Sequence, residues 1–277
     1  MFHRLVWARN LFRKSRVLRW LHATLTQPSG KVAVAAATKY AAEKPKVITV
    51  THGSLHCHFC VPNVERYITL VCPREPNVVR RFLEVIRPGD TLWDIGANFG
   101  YYSILAAGAV GTTGSVVSFD PHPDCLEDVL ASAGLNNYTW LSTANVALGS
   151  AHGVMRLAGA AEGIDGTHRV VKLDAPESGP QFEIQVVRGD DWLKEHQERP
   201  PNVLKIDVEG AELDVLTGLS GVLASPTCRA IIVEIHFGIL HSTGRNNVPA
   251  KIVDMLKRMG FQHIVWLDAS HLAAVKE

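Results

Sequence analysis

Leu92-Trp93-Asp94-Ile95-Gly96-Ala97-Asn98-Phe99-Gly100 runs from a short apolar strand, through a carboxylate and two glycines, into a helix. Absent side chains at Gly96 and Gly100 let a ligand approach the backbone and the unpaired N–H groups of a helix start. That geometry builds a nucleotide site; its alternative is a tight turn with no ligand. It differs from the dinucleotide fingerprint, which sets three glycines beneath a pyrophosphate. Here an acid precedes only two, and an acid would repel a pyrophosphate. Asp94 suits an ammonium or sulfonium group, because opposite charges a few ångströms apart attract strongly in a shielded pocket. S-adenosylmethionine carries both.

Outward from the loop, apolar strands alternate with helices. The pattern predicts strands over 91–95, 115–119, 140–147, 183–187, 202–207, 230–235 and 262–267, and helices over 99–110, 124–135, 190–197, 211–219 and 249–259. Such alternation implies βαβ units around a parallel sheet. The expected fold is α/β, a doubly wound, mostly parallel seven-stranded Rossmann-like sheet, with ligands outside the carboxyl ends of its strands. The segment 149–180 reads as a hairpin or surface loops. Before residue 88 the texture is irregular, with short strands over 47–50 and 67–72 and a helix over 77–86. We therefore divide the chain into a basic N-terminal helix with a small β appendage (1–74) and a sheet domain (75–277). The strand over 115–119 ends at Asp120-Pro121, about 20 residues past the glycine loop, where nucleotide-binding folds of this class place an acid on the ribose hydroxyls. A carboxylate can accept two hydroxyl hydrogen bonds at once.

Hydrophobic residues make up 47% of the 277 and charged residues 20%, which excludes disordered and coiled-coil classes. A net charge of +1 gives no global case for nucleic-acid binding. The charge is unevenly placed. Arg4, Arg9, Arg13, Lys14, Arg16 and Arg19 lie in the first 20 residues without an acid, leaving 22 basic residues against 27 acidic ones, net −5, in the remainder. Trp7, Leu11, Leu18, Leu21 and Leu25 share one helical face, which fits weak contact with an anionic membrane surface or a helix packed on its own domain. Without an apolar run of signal-peptide or membrane-spanning length, the expectation is a cytoplasmic protein, at most membrane-peripheral. Five scattered cysteines do not describe a disulfide framework. His56-Cys57-His58-Phe59-Cys60 has zinc-type spacing, but strand alternation would send neighbours to opposite faces, and an ordinary strand or loop is expected.

Four segments resemble the FkbM-type S-adenosylmethionine-dependent methyltransferases. They are Trp93–Ser103 with the glycine loop, Phe119-Asp120-Pro121-His122-Pro123, Lys205-Ile206-Asp207-Val208-Glu209-Gly210-Ala211-Glu212, and Val233-Glu234-Ile235-His236. Order and spacing agree over roughly Glu75 to Leu267; at Asp120 the family more often shows glutamate. The resemblance implies methyl transfer, usually to an oxygen of a sugar, polyketide or other small-molecule or glycoconjugate acceptor, by a Rossmann-like methyltransferase domain. Glu75-Pro76, ahead of a predicted helix, also has counterparts in that family.

On this reading Asp94, Gly96, Ala97, Asn98, Gly100 and Tyr101 hold the methionine and ribose end of the cofactor, and Asp120 and Pro121 the ribose. Val146 and Ala147, after the third strand, border the adenine. Asp207 faces the methionine or acceptor, Glu209 serves as base or acceptor clamp, and His236 as base or acceptor contact, histidine being the usual base near neutral pH. Lys205 either steadies a carboxylate or joins a structural ion pair. Glu209 and Glu212 equally suit the positive end of the following helix. Asp207, Glu234 and His236 also offer oxygen and imidazole ligands to a divalent cation; the sequence assigns none, and it is silent on oligomeric state. Two other readings are a nucleotide-linked oxidoreductase, opposed by the missing third glycine, and a non-catalytic or membrane-surface module retaining the cofactor fold.

Overall fold

The computed structural model describes residues 28–72, 75–159, 168–171 and 181–277, so the basic leader lies outside the described residues. Strands are numbered in chain order: β1 Val47–His52, β2 Leu55–Cys60, β3 Thr91–Ile95, β4 Ser115–Phe119, β5 Leu141–Ala144, β6 Ala147–Leu148, β7 Gly153–Gly159, β8 His168–Val171, β9 Gln181–Val187, β10 Val203–Ile206, β11 Ala230–Glu234, β12 His263–Trp266 and β13 His271–Val275.

The main sheet has seven strands in the order β12-β13-β11-β10-β3-β4-β5. The run from β11 to β5 is parallel, and β13 is antiparallel to both β11 and β12. Its strands are apolar on both sides, as a sheet covered by helices requires. Leu92, Val116, Val203 and Ile232 enter one core, under the helices Pro76–Val85, Tyr101–Val110 and Pro123–Leu135. Trp93, Val117, Leu204 and Ile231 enter the other, with Trp192 and residues of the helices Glu212–Gly218 and Val248–Arg258. Chain order reverses between β3 and β10. The ligand crevice of an open α/β sheet lies at such a point.

Seven strands are present, but not the expected seven. The 140–147 strand divides: β5 stays in the main sheet, whereas β6 pairs with β9 in a separate four-stranded sheet, β6-β9-β7-β8. The 183–187 strand joins that second sheet, and β13 takes its place in the first. In 149–180 the hairpin is β7 paired with β8. Residues 67–72 also differ from the expected strand, since Val64–Val71 is a helix. Its β-branched run favours a strand, but the Asn63 side chain caps the turn by accepting from Arg66 N, and Tyr67, Ile68 and Leu70 are buried together. A further helix, Pro28–Glu43, precedes β1.

The β1-β2 hairpin buries Cys57 and Phe59 in the same core as Ile104 and Val129. His56 and His58 face outward, bonded to Thr51 and Thr49, so this motif is the ordinary strand expected. No described helix is long and apolar enough to cross a membrane.

Candidate active site

The loops after β3, β4, β10 and β11 converge beside the switch point. In the first, Gly96 (φ +81°) and Gly100 (φ +85°) take left-handed backbone, as does Asn98 (φ +50°). Gly96 N and Ala97 N donate to Phe119 O at 2.9 and 3.0 Å. A Cβ on Gly96 would lie 1.8 Å from the Asp207 carbonyl oxygen, so the loops after β3 and β10 touch backbone to backbone. Asp120 organises the turn from the next strand: Oδ2 accepts from Asn98 N and Oδ1 from His122 N, both at 2.8 Å. From the loop after β5, Asn145 donates to the Asp120 carbonyl at 3.0 Å.

Asp94 lies beneath the loop, 2% exposed. It accepts from Ser103 Oγ at 2.5 Å, and Ser118 donates to Ser103 at 2.7 Å. Burial pushes its carboxyl up to about 6, against the Ser103 hydrogen bond and the charge of Lys205. Lys205 stands opposite Asp94 on β10. Its fully buried ammonium makes no hydrogen bond among the described residues; it lies 3.7 Å from Asp207 Oδ2 and 4.8 Å from the centre of the Tyr102 ring.

The far side of the crevice gathers carboxylates around His236. Nδ1 is 2.7 Å from Glu212 Oε1, while Nε2 faces Glu209 Oε2 at 3.4 Å and Asp207 Oδ1 at 3.6 Å. Glu212 is fully buried, and its Oε1 also accepts from Gly210 N at 2.9 Å. The turn delivering these groups is tight, with Glu209 at φ +51° and Gly210 at +94°. Burial works against charge on His236, but the hydrogen bond to Glu212 and the charges of Asp207 and Glu209 outweigh it and lift the imidazole to about 9. Burial also raises Glu209. A carboxyl so raised, against the lowering charge of His236, can take up a proton from a neighbouring hydroxyl. Behind them Glu234 is held at about 2: burial would raise it, but the nearby His271 imidazole, with the charges of Lys205 and His236, prevails.

Residues 94–263, more than half of the chain, match the Methyltransferase FkbM domain. The chain belongs to this family. Over 165 residues it is 30% identical to the hexuronic acid methyltransferase AglP of Haloferax volcanii, covering 60% of this chain and 64% of that protein. Over 181 residues it is 27% identical to the 31-O-demethyl-FK506 methyltransferase FkbM of Streptomyces tacrolimicus, covering 54% and 67%. The chain thus spans less than two thirds of the length of the first relative. Among solved structures, the methyltransferase FkbM of Methylobacillus flagellatus aligns with a TM-score of 0.46 at 15% identity, covering 78% of this chain and 56% of that one.

Within the FkbM domain, the residues expected at the cofactor fall into two groups. Asp94, Gly96, Ala97, Asn98, Gly100, Asp120 and Pro121 all lie in or directly under the loops after β3 and β4. Tyr101 contributes backbone there, but its hydroxyl is 3.2 Å from His52 Nε2 and its ring stacks on Phe59, so the side chain belongs to the hairpin. Val146 packs on the second core, and Ala147 is drawn into β6. Asp207, Glu209 and His236 do meet. Sequence reading missed Asn145 and His271, and it took Glu212 for a helix-start residue although Glu212 anchors His236. Nothing in the local pattern marks Asn145 or His271, because each acts across strands far apart in the chain.

Proposed function

We propose that the protein transfers a methyl group from S-adenosylmethionine to a hydroxyl of a sugar or similar small-molecule acceptor. One observation carries this reading: a glycine loop tied to Asp120 faces a carboxylate-rich cluster across the switch point, so a cationic cofactor and a proton-accepting group would meet in one crevice. The hexuronic acid methyltransferase relative supports a sugar acceptor. The cofactor fits the residues present. The loop carries no side chain at Gly96 or Gly100, Asp94 and Asp207 supply negative charge to a sulfonium and an ammonium, and Asp120 stands beside the loop on the ribose side. When bound, the cofactor supplies the electrophilic methyl group. The chain's own part is alignment, which can provide much of the acceleration of an in-line displacement, and removal of the acceptor proton.

Because the surrounding carboxylates keep His236 protonated at neutral pH, we assign the base to Glu209. His236 then donates to the acceptor oxygen and stabilises the charge that develops there.

Calorimetric titration with S-adenosylhomocysteine, with NAD alongside, tests the cofactor. Binding of S-adenosylhomocysteine alone, abolished in Asp94→Ala and strengthening as pH rises through about 6 while Asp94 ionises, is the expected result. Preference for NAD would overturn it. His236→Gln is expected to lower kcat by about 10²- to 10³-fold with S-adenosylhomocysteine affinity within about threefold of wild type. Weakened cofactor binding with unchanged turnover would reverse the two roles.

A further inference from the structure

Glu75, Glu234 and His271 come from the segment ahead of the helix Pro76–Val85, from the end of β11 and from the start of β13. Each offers one ligand atom, and the three atoms lie within 4.8 Å of one another. We propose that they hold a first-row divalent metal cation of the manganese or zinc type. The His271 ring is 1% exposed, and its Nε2 makes no hydrogen bond among the described residues although it points at two carboxylates. Glu234 Oε2 is 3.3 Å away and Glu75 Oε2 3.5 Å. Ligands bonded tetrahedrally at about 2.0–2.2 Å to one cation stand about 3.3–3.6 Å from each other, close to these separations.

Each ligand also has an outer partner that fixes its aim. Asp268 lies 3.0 Å from His271 Nδ1, which leaves Nε2 as the outward nitrogen. Tyr102 donates to Glu75 at 3.0 Å, and Ser270 to Glu234 at 3.3 Å. A histidine oriented by a carboxylate, with its ligating acids hydrogen-bonded in turn, is how proteins build metal sites. Two carboxylates with one imidazole suit manganese or zinc better than calcium, which takes an all-oxygen shell. The nearby Lys205 ammonium is set between Asp207 and the Tyr102 ring.

Glu234 also stands within 4.8 Å of ligand atoms of Asp207 and His236, so the cation would border the reaction cluster. Three protein ligands leave coordination positions for acceptor hydroxyls. That role rests on the methyl-transfer reading, whereas metal binding itself does not.

The test is calorimetric titration of the chelator-stripped full chain with Mn2+ and, separately, with Zn2+. One ion per chain is expected, with affinity reduced at least tenfold in Glu75→Gln and in His271→Gln and unchanged in His236→Gln. Glu75 is partly exposed and outside regular structure, so its variant remains informative if the buried His271 change prevents folding. No binding by wild type, or binding that Glu75→Gln leaves intact, overturns the proposal; loss in His236→Gln alone overturns it by moving the ion to the Asp207 side. A chain that binds metal but not S-adenosylhomocysteine would keep this site and sink the cofactor reading.

Discussion

Gly96→Ala is expected to give a protein that binds no S-adenosylhomocysteine and unfolds at much lower urea than wild type. Two costs add. The residue sits at φ +81°, where an L side chain costs about 1 kcal/mol. The new methyl would also lie 1.8 Å from the Asp207 carbonyl oxygen and 2.8 Å from its carbon. Both are backbone atoms at the end of β10, which is paired on both sides to β3 and β11, so neither can swing away as a side chain would. The loops must separate, at a total of about 3–5 kcal/mol, the range of severe point mutations. Gly134→Ala is the control, because a Cβ there meets nothing within 4 Å in the last turn of a helix; it should be neutral or stabilise by about 0.5–1 kcal/mol. A Gly96 variant within about 1 kcal/mol of wild type would mean that the two loops are not in contact.

The second large effect is expected at Glu212, where alanine should destabilise by about 3–5 kcal/mol, as removal of one partner of a buried pair does. Its Oε1 serves both His236 Nδ1 and Gly210 N, and truncation leaves these donors without it. The loss should depend on pH in a defined direction. His236 titrates at about 9 in the folded chain against the ordinary 6.5, so its stabilisation is complete below 6.5 and fades as pH climbs through about 9. The full shift corresponds to about 3 kcal/mol, shared among three carboxylates. Urea denaturation of wild type and variant from pH 6 to 10 should therefore show the gap narrowing with rising pH. A gap constant over that range would show that Glu212 does not hold the imidazolium.

The strand, turn and helix around Gly96 were legible because every constraint there is local: apolar run, acid, glycines, then a helix. The place of Asp120 beside that loop followed from its distance along the chain. Tyr67–Cys72 misled because a β-branched run outweighed the Asn63 cap, a signal one side chain long. The exchange of 183–187 for β13 in the main sheet was hidden, since periodicity shows that a strand exists but not which sheet it joins. His236 is the most instructive residue. Its place was readable, but its protonation depends on Glu212, Asp207 and Glu209 meeting in space, which is why Glu209 is proposed as the base.

The position of β13 has a consequence for how the fold is reached. β12 and β13 form an antiparallel hairpin with β12 on the outside, so the pair joins the sheet only when His271–Val275 docks on β11. Until then β11 presents an open, apolar edge, the kind of surface that invites association between chains. Docking of this hairpin onto β11 should be a slow, non-local step. It is also the step that brings His271 to Glu234, so backbone amides of β13 and β11 should gain protection from hydrogen exchange together, after those of β3 and β4.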